Sequence, residues 1–122
     1  MDNLTRTQLV QYAGASGDYN PLHTDEIFTT KVAGYPSVFA HGMLSMGMTR
    51  KMLTNYVGDG RLTNFGVRFT SQVWPGDALI AKATVERIRE ESGRYIVDLA
   101  VSTVNQAGTE VISGYASARI DP

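Results

Sequence analysis

The chain has 122 residues, enough for one domain with a sizeable core and no need of cross-links. Eleven Lys and Arg against twelve Asp and Glu leave a net charge of -1, which provides neither a nucleic-acid footprint nor a polybasic membrane patch. Cysteine is absent, which excludes disulfides, thiolate catalysis and Cys-ligated zinc. The first residues lack the charged and apolar regions of a signal peptide, and no apolar run approaches the ~20 residues of a membrane span. The expectation is a soluble, cytoplasmic protein.

Thr5-Arg6-Thr7-Gln8 has the capping-box pattern, and an apolar face runs from Leu9 to Ala13, so a short helix is predicted over about Arg6–Ala13. Ser16-Gly17-Asp18-Tyr19-Asn20-Pro21-Leu22-His23 follows and is read as a loop. It sets a carboxylate and an imidazole five residues apart. A helix would point them apart, whereas a turn stiffened by Pro21 can aim both into one cleft. Thr24 is read as the cap of a second short helix to about Thr30, with Asp25 and Glu26 suited to its dipole. A long helix is predicted over Phe39–Val57, with an apolar face of Ala40, Met43, Leu44, Met48, Met52, Leu53 and Tyr56. Its methionines read as core filling.

Beyond Gly58 the periodicity becomes strand-like. Strands are expected over Leu62–Val73, from Leu79 to about Ile88 with a slip of phase before Ile88, across Tyr95–Thr103, and over Glu110–Ile120. Turns are read at Trp74–Asp77, Glu90–Gly93 and Asn105–Gly108. The layout predicts a single α+β domain, residues 1–122: an antiparallel meander of four strands wrapped around one long helix. The arginines and lysine near the strands, among them Arg68, Arg87 and Arg89, read either as contacts to a cofactor-arm phosphate or as a solvated sheet face. His23, Asp25 and His41 contain no close histidine pair, and no metal is expected.

The stretch Tyr12–Asp25, with its Ser-Gly-Asp-x-Asn-Pro-Leu-His core, resembles the signature of the MaoC-like, R-specific enoyl-thioester hydratases, which have the hot-dog fold. Phe39-Ala40-His41-Gly42-Met43-Leu44 and Val73-Trp74-Pro75-Gly76-Asp77 are similar to two further motifs of that family. The resemblance implies reversible hydration of trans-2-enoyl thioesters of coenzyme A or acyl-carrier protein, a lyase reaction of fatty-acid metabolism with no cofactor. It implies that Asp18 and His23 activate water, that the amide of Gly42 receives the enolate oxygen, and that Asn20 supports the loop. His41, Met43 and Ser45 are candidates to meet the substrate. A thioesterase is one alternative, although Phe39–Val57 lacks the acidic residue such enzymes carry on the long helix. A non-catalytic or partner subunit of a heteromeric dehydratase is the other. Family members usually carry a strand before the first helix, of which only about Met1–Leu4 are present. Edge-to-edge pairing of the hot-dog sheet implies a dimer, either of two copies or with a heteromeric partner.

Overall fold

The computed structural model describes residues 1–120. Thr5 caps α1 (Arg6–Ser16) with the reciprocal pair expected: its hydroxyl accepts the Gln8 amide and the Gln8 side chain accepts the Thr5 amide. The helix runs through Gly14 and stops at Gly17, which takes the left-handed conformation (φ 75°) and donates its amide to the Ala13 carbonyl. Contrary to the expectation of a plain loop, the stretch to His23 contains a single helical turn, α2 (Pro21–Thr24). The next helical segment is capped by Asp25 rather than Thr24, because Asp25 Oδ1 accepts the Phe28 amide, and it winds into a π-helical turn, Phe28–Val32. Glu26 accepts from both Arg6 and the Val38 amide, tying α1 to the segment ahead of the long helix.

That helix, α3 (Gly42–Val57), begins three residues later than the apolar pattern suggested. Phe39 and Ala40 stay outside the helix, and the Ala40 amide is spent on the Val73 carbonyl. The fully covered stripe of α3 is Ser45, Thr49 and Leu53, spaced by four, while Met43 and Tyr56 lie exposed. Two hydroxyls fit under the sheet because each is paired: Thr49 Oγ1 donates to the Ser45 carbonyl, so Thr103 donates to Thr49 across 2.7 Å. Leu53 packs with Val97, Leu99, Val101, Ala116 and Ala118. Replacing Leu53 by Ala is expected to lower unfolding free energy by about 2–5 kcal/mol, read from a denaturant midpoint.

Four strands make the sheet: β1 (Leu62–Phe69), β2 (Leu79–Glu91), β3 (Arg94–Asn105) and β4 (Glu110–Arg119). Their spatial order is β1-β4-β3-β2, all antiparallel. Only β2, β3 and β4 form a meander. β1 crosses to the far edge and pairs with β4, correcting the simple meander read from the turns. Ser92 and Gly93, both at positive φ, close the β2–β3 hairpin in two residues. Met1–Leu4 runs antiparallel beside Gly76–Leu79, joined through the Met1, Leu4, Gly76 and Leu79 amides or carbonyls.

The expected bulge in β2 falls between Val85 and Arg87. It lets Val85 and Ile88, three apart, face the same side opposite Leu99 and Val97. On the other side it gathers Arg87 and Arg89 on one oxygen of Asp98, at 2.6 and 2.9 Å, while Ser117 donates to the other oxygen. Arg89, Arg87 and Ser117 together hold the Asp98 carboxyl well below the ordinary carboxylate range. These two arginines therefore belong to a paired sheet face. A depressed carboxyl pKa contributes stability above the unfolded value near 4 and loses it as pH falls through the folded value. Asp98→Asn is expected to lower the urea midpoint at pH 7 and to flatten its decline between pH 5 and pH 3.

Candidate active site

A relay of local hydrogen bonds shapes the segment from Ser16 to His23. Ser16 Oγ donates to the Tyr12 carbonyl and accepts the Asp18 amide. Asp18 Oδ1 accepts the Asn20 amide at 3.2 Å, and Asn20 Oδ1 accepts the Leu22 amide at 3.0 Å. Asn20 is thus the N-cap of α2, and Pro21 sits at the helix start where its missing N–H is harmless. Thr29 Oγ1 donates to the Pro21 carbonyl, securing the turn from the π-helical side. One turn of helix then brings His23 around toward Asp18. The Asp18 carboxylate and one ring nitrogen each of His23 and His41 lie within 4.8 Å of one another.

The tautomer of His23 follows from its partner. Nδ1 lies 2.7 Å from the Phe39 carbonyl, which can only accept, so Nδ1 carries the hydrogen and Nε2 keeps a lone pair. Burial pushes the His23 pKa below its ordinary value of 6.5; the Phe39 bond and the Asp18 charge work against that, and His41 adds to it. At neutral pH His23 is an uncharged base with one nitrogen anchored and the other available. Asp18 is exposed, so the carboxylate side of the pair opens outward.

His41 is 2% exposed and stacks on His23, with ring centroids 3.9 Å apart and planes 28° apart. Its Nε2 donates to the main-chain carbonyl of Asp18 at 2.9 Å, and the edge of Tyr12 packs against it. Near-parallel stacking keeps the in-plane lone pairs of the two imidazoles from meeting on one ion, so this cluster is poorly arranged to hold a metal. Asp25, a possible ligand by residue type, instead caps the Phe28 amide.

Gly42 is the first residue of α3, directly after His41, and no side chain caps the helix there. Its amide has no intrahelical acceptor and stands at the positive end of the helix dipole. A cavity of about 330 Å³ opens beside it, bordered by Phe39, Gly42, Ser45, Phe69, Gln72 and Val111. Ser45 therefore borders the same space as Gly42, whereas Met43 is 57% exposed and lies outside that lining. A Cβ on Gly42 would sit 3.0–3.2 Å from three atoms of the Phe69 ring. Phe69 was visible in the sequence only as a strand residue. Phe39 contributes through its carbonyl, and a main-chain acceptor leaves no trace in residue type.

The pattern of the MaoC like domain matches residues 2–108. Among curated proteins, 3-hydroxyacyl-thioester dehydratase Y of Mycobacterium tuberculosis is 34% identical over 115 residues, 92% of this chain and 38% of that protein. The peroxisomal enoyl-CoA hydratase 2 of Arabidopsis thaliana is 33% identical over 107 residues, 85% of this chain and 32% of that protein. The chain thus spans about a third of the length of these relatives. Among solved structures, the (R)-hydratase from A. caviae involved in PHA biosynthesis superposes with a TM-score of 0.85 at 26% identity, covering 98% of this chain and 89% of that one. With the signature loop, the long helix and the first three strands all falling inside the matched span, the chain belongs to the MaoC-like domain family.

Proposed function

We propose that this domain catalyses the reversible, R-specific hydration of trans-2-enoyl thioesters to (3R)-3-hydroxyacyl thioesters. The observation that carries this reading is the pairing of the Asp18 carboxylate with an imidazole whose tautomer leaves Nε2 of His23 as a base. A water between them would lose a proton as its oxygen bonds to C3 of the substrate. The double-bond electrons pass toward the thioester oxygen, where the amide of Gly42 receives the developing negative charge. The proton then returns to C2, and dehydration is the same path in reverse. This chemistry calls on water, an acid–base pair and an N–H donor, with no metal, nucleotide or flavin; the thioester of coenzyme A or of an acyl-carrier arm is substrate. The names and sequences of the relatives support the reaction class.

The proposed assembly is a homodimer, which would cover an unpaired edge of the sheet. Light scattering on the purified chain reads this directly, and co-purification with a second subunit would instead favour a heteromeric dehydratase. Among the described residues no helix is long and apolar enough to cross a membrane.

The deciding assay offers trans-2-enoyl-CoA substrates of several lengths. The conjugated enoyl absorbance should fall without release of free thiol, and chiral analysis should return the R alcohol. Thiol release would favour hydrolysis, and no change in absorbance would overturn the assignment.

A further inference from the structure

We infer that His41 is a positioning residue for the reaction, fixing Asp18 through its main-chain carbonyl and holding the His23 ring face to face. This rests on the hydratase reading of Asp18 and His23.

His41 occupies the junction between the two halves of the site. It belongs to the residue run that starts α3, immediately before Gly42, yet among the described residues the only hydrogen bond of its side chain runs 23 residues back to the Asp18 carbonyl. Its other ring nitrogen, Nδ1, is buried without a partner. The ring is therefore held by that one bond, by stacking on His23 and by the Tyr12 edge. A solvent-facing histidine would satisfy both nitrogens in water; burying one unpaired is an outlay that needs a compensating role. The role visible here is geometric. Asp18 itself is exposed, and its other hydrogen bonds among the described residues are short-range, to Ser16 at the end of α1 and to Asn20. The His41 bond is the one that references Asp18 to the long helix and so to the Gly42 amide. An oxyanion donor and a base that sit on different segments must keep a fixed separation, since about 1 Å of error costs on the order of 100-fold in rate.

Stacking has a second consequence. The titratable groups facing His23 are the Asp18 carboxylate from the preceding loop and the His41 imidazole from the start of α3. They act in opposite senses, Asp18 favouring the charged imidazole and His41 opposing it.

The test compares His41→Phe, which keeps a ring against His23 and Tyr12 but has no donor, with His41→Gln, which keeps an amide donor without the ring. His41→Phe is expected to lower kcat by roughly 10- to 100-fold with KM nearly unchanged, and His41→Gln to recover much of that loss. The chain has only two histidines, so each variant leaves one imidazole signal for a proton NMR titration. The His23 midpoint should move upward in both variants. Wild-type kcat in His41→Phe, or a His23 midpoint that does not move in either variant, would overturn the inference. Should His41→Phe fail to fold, His41→Asn takes its place as a donor too short to reach the Asp18 carbonyl. Equal kcat for His41→Asn and His41→Gln then counts against the proposal. An inert wild-type protein would strike the hydratase reading and with it the rate comparison, while the NMR titration still decides whether His41 holds and couples to the His23 ring, because it needs no turnover.

Discussion

Replacing His23 by Ala is expected to lower kcat for enoyl-thioester hydration by about 10²- to 10⁴-fold, the range supplied by a positioned general base. His23 donates Nδ1–H to the Phe39 carbonyl, so what remains at Nε2 is a lone pair, and Ala removes it outright. Asp18→Asn should have an effect of similar order for a different reason. It keeps an oxygen that can accept the Asn20 amide, so the turn survives, but it removes the charge proposed to hold the water. If the two act on one water, as proposed, the double variant should lose little more than the worse single one. The pH profile gives a second readout. Protonation of Nε2 ends base catalysis, and burial lowers the pH at which this happens, so the acidic limb of kcat/KM should lie below 6.5. The same displacement affects folding. The unfolded chain takes up this proton near 6.5 and the folded one only at lower pH, so stability declines as pH falls from 6.5 through the folded value. Wild-type rates in both single variants, with unchanged circular dichroism, would remove Asp18 and His23 from the chemistry.

Local chemistry made much of this legible in the sequence. The capping box at Thr5 and Gln8, the bulge before Ile88 and the four-strand count are each written within a few residues, and each is present. Errors arose where a local signal competes with a distant partner. Phe39 and Ala40 continue the apolar period of α3, but the Val73 carbonyl takes the Ala40 amide and keeps the segment out of the helix. Gly14 looks like a helix stop, yet nothing there requires positive φ, and the chain waits for Gly17. Strand order was least visible. Short turns identify β2–β3 and β3–β4 as neighbours, whereas the longer stretch after Phe69 carries no mark of where it leads. For the site, the signature loop and the Gly42 helix start could be found by motif. The stacking of His41 on His23 could not, because it depends on how α3 is placed against α2.

Gly42 separates two demands that one substitution would confound, so it calls for a pair of variants. Gly42→Ala keeps the amide and adds a Cβ, which would stand 3.0–3.2 Å from the Phe69 ring. Phe69 is 49% exposed at the end of β1 and can swing aside, though doing so moves it within the cavity beside the amide. The expected loss in kcat/KM is roughly 10- to 100-fold, from crowding where the thioester must approach. In Gly42→Ala/Phe69→Ala the contact is relieved, so the two changes should couple in stability by about 0.5–3 kcal/mol while the rate deficit persists. Full recovery of rate would mean that the glycine serves Phe69 and not the substrate. Gly42→Pro addresses the amide itself. The first position of a helix accepts proline, because its N–H has no intrahelical partner and its φ is already near the fixed value. His41, the residue before it, is extended at φ -59° and ψ 135°, which a following proline tolerates. Proline therefore deletes the hydrogen-bond donor with the helix start retained, and its ring supplies the same Cβ as alanine. The further loss from Ala to Pro isolates the N–H, and it should reach about 10²- to 10³-fold in kcat, the effect of removing one oxyanion donor. If Gly42→Pro folds with the thermal midpoint of Gly42→Ala and matches its rate, the enolate oxygen is stabilised elsewhere.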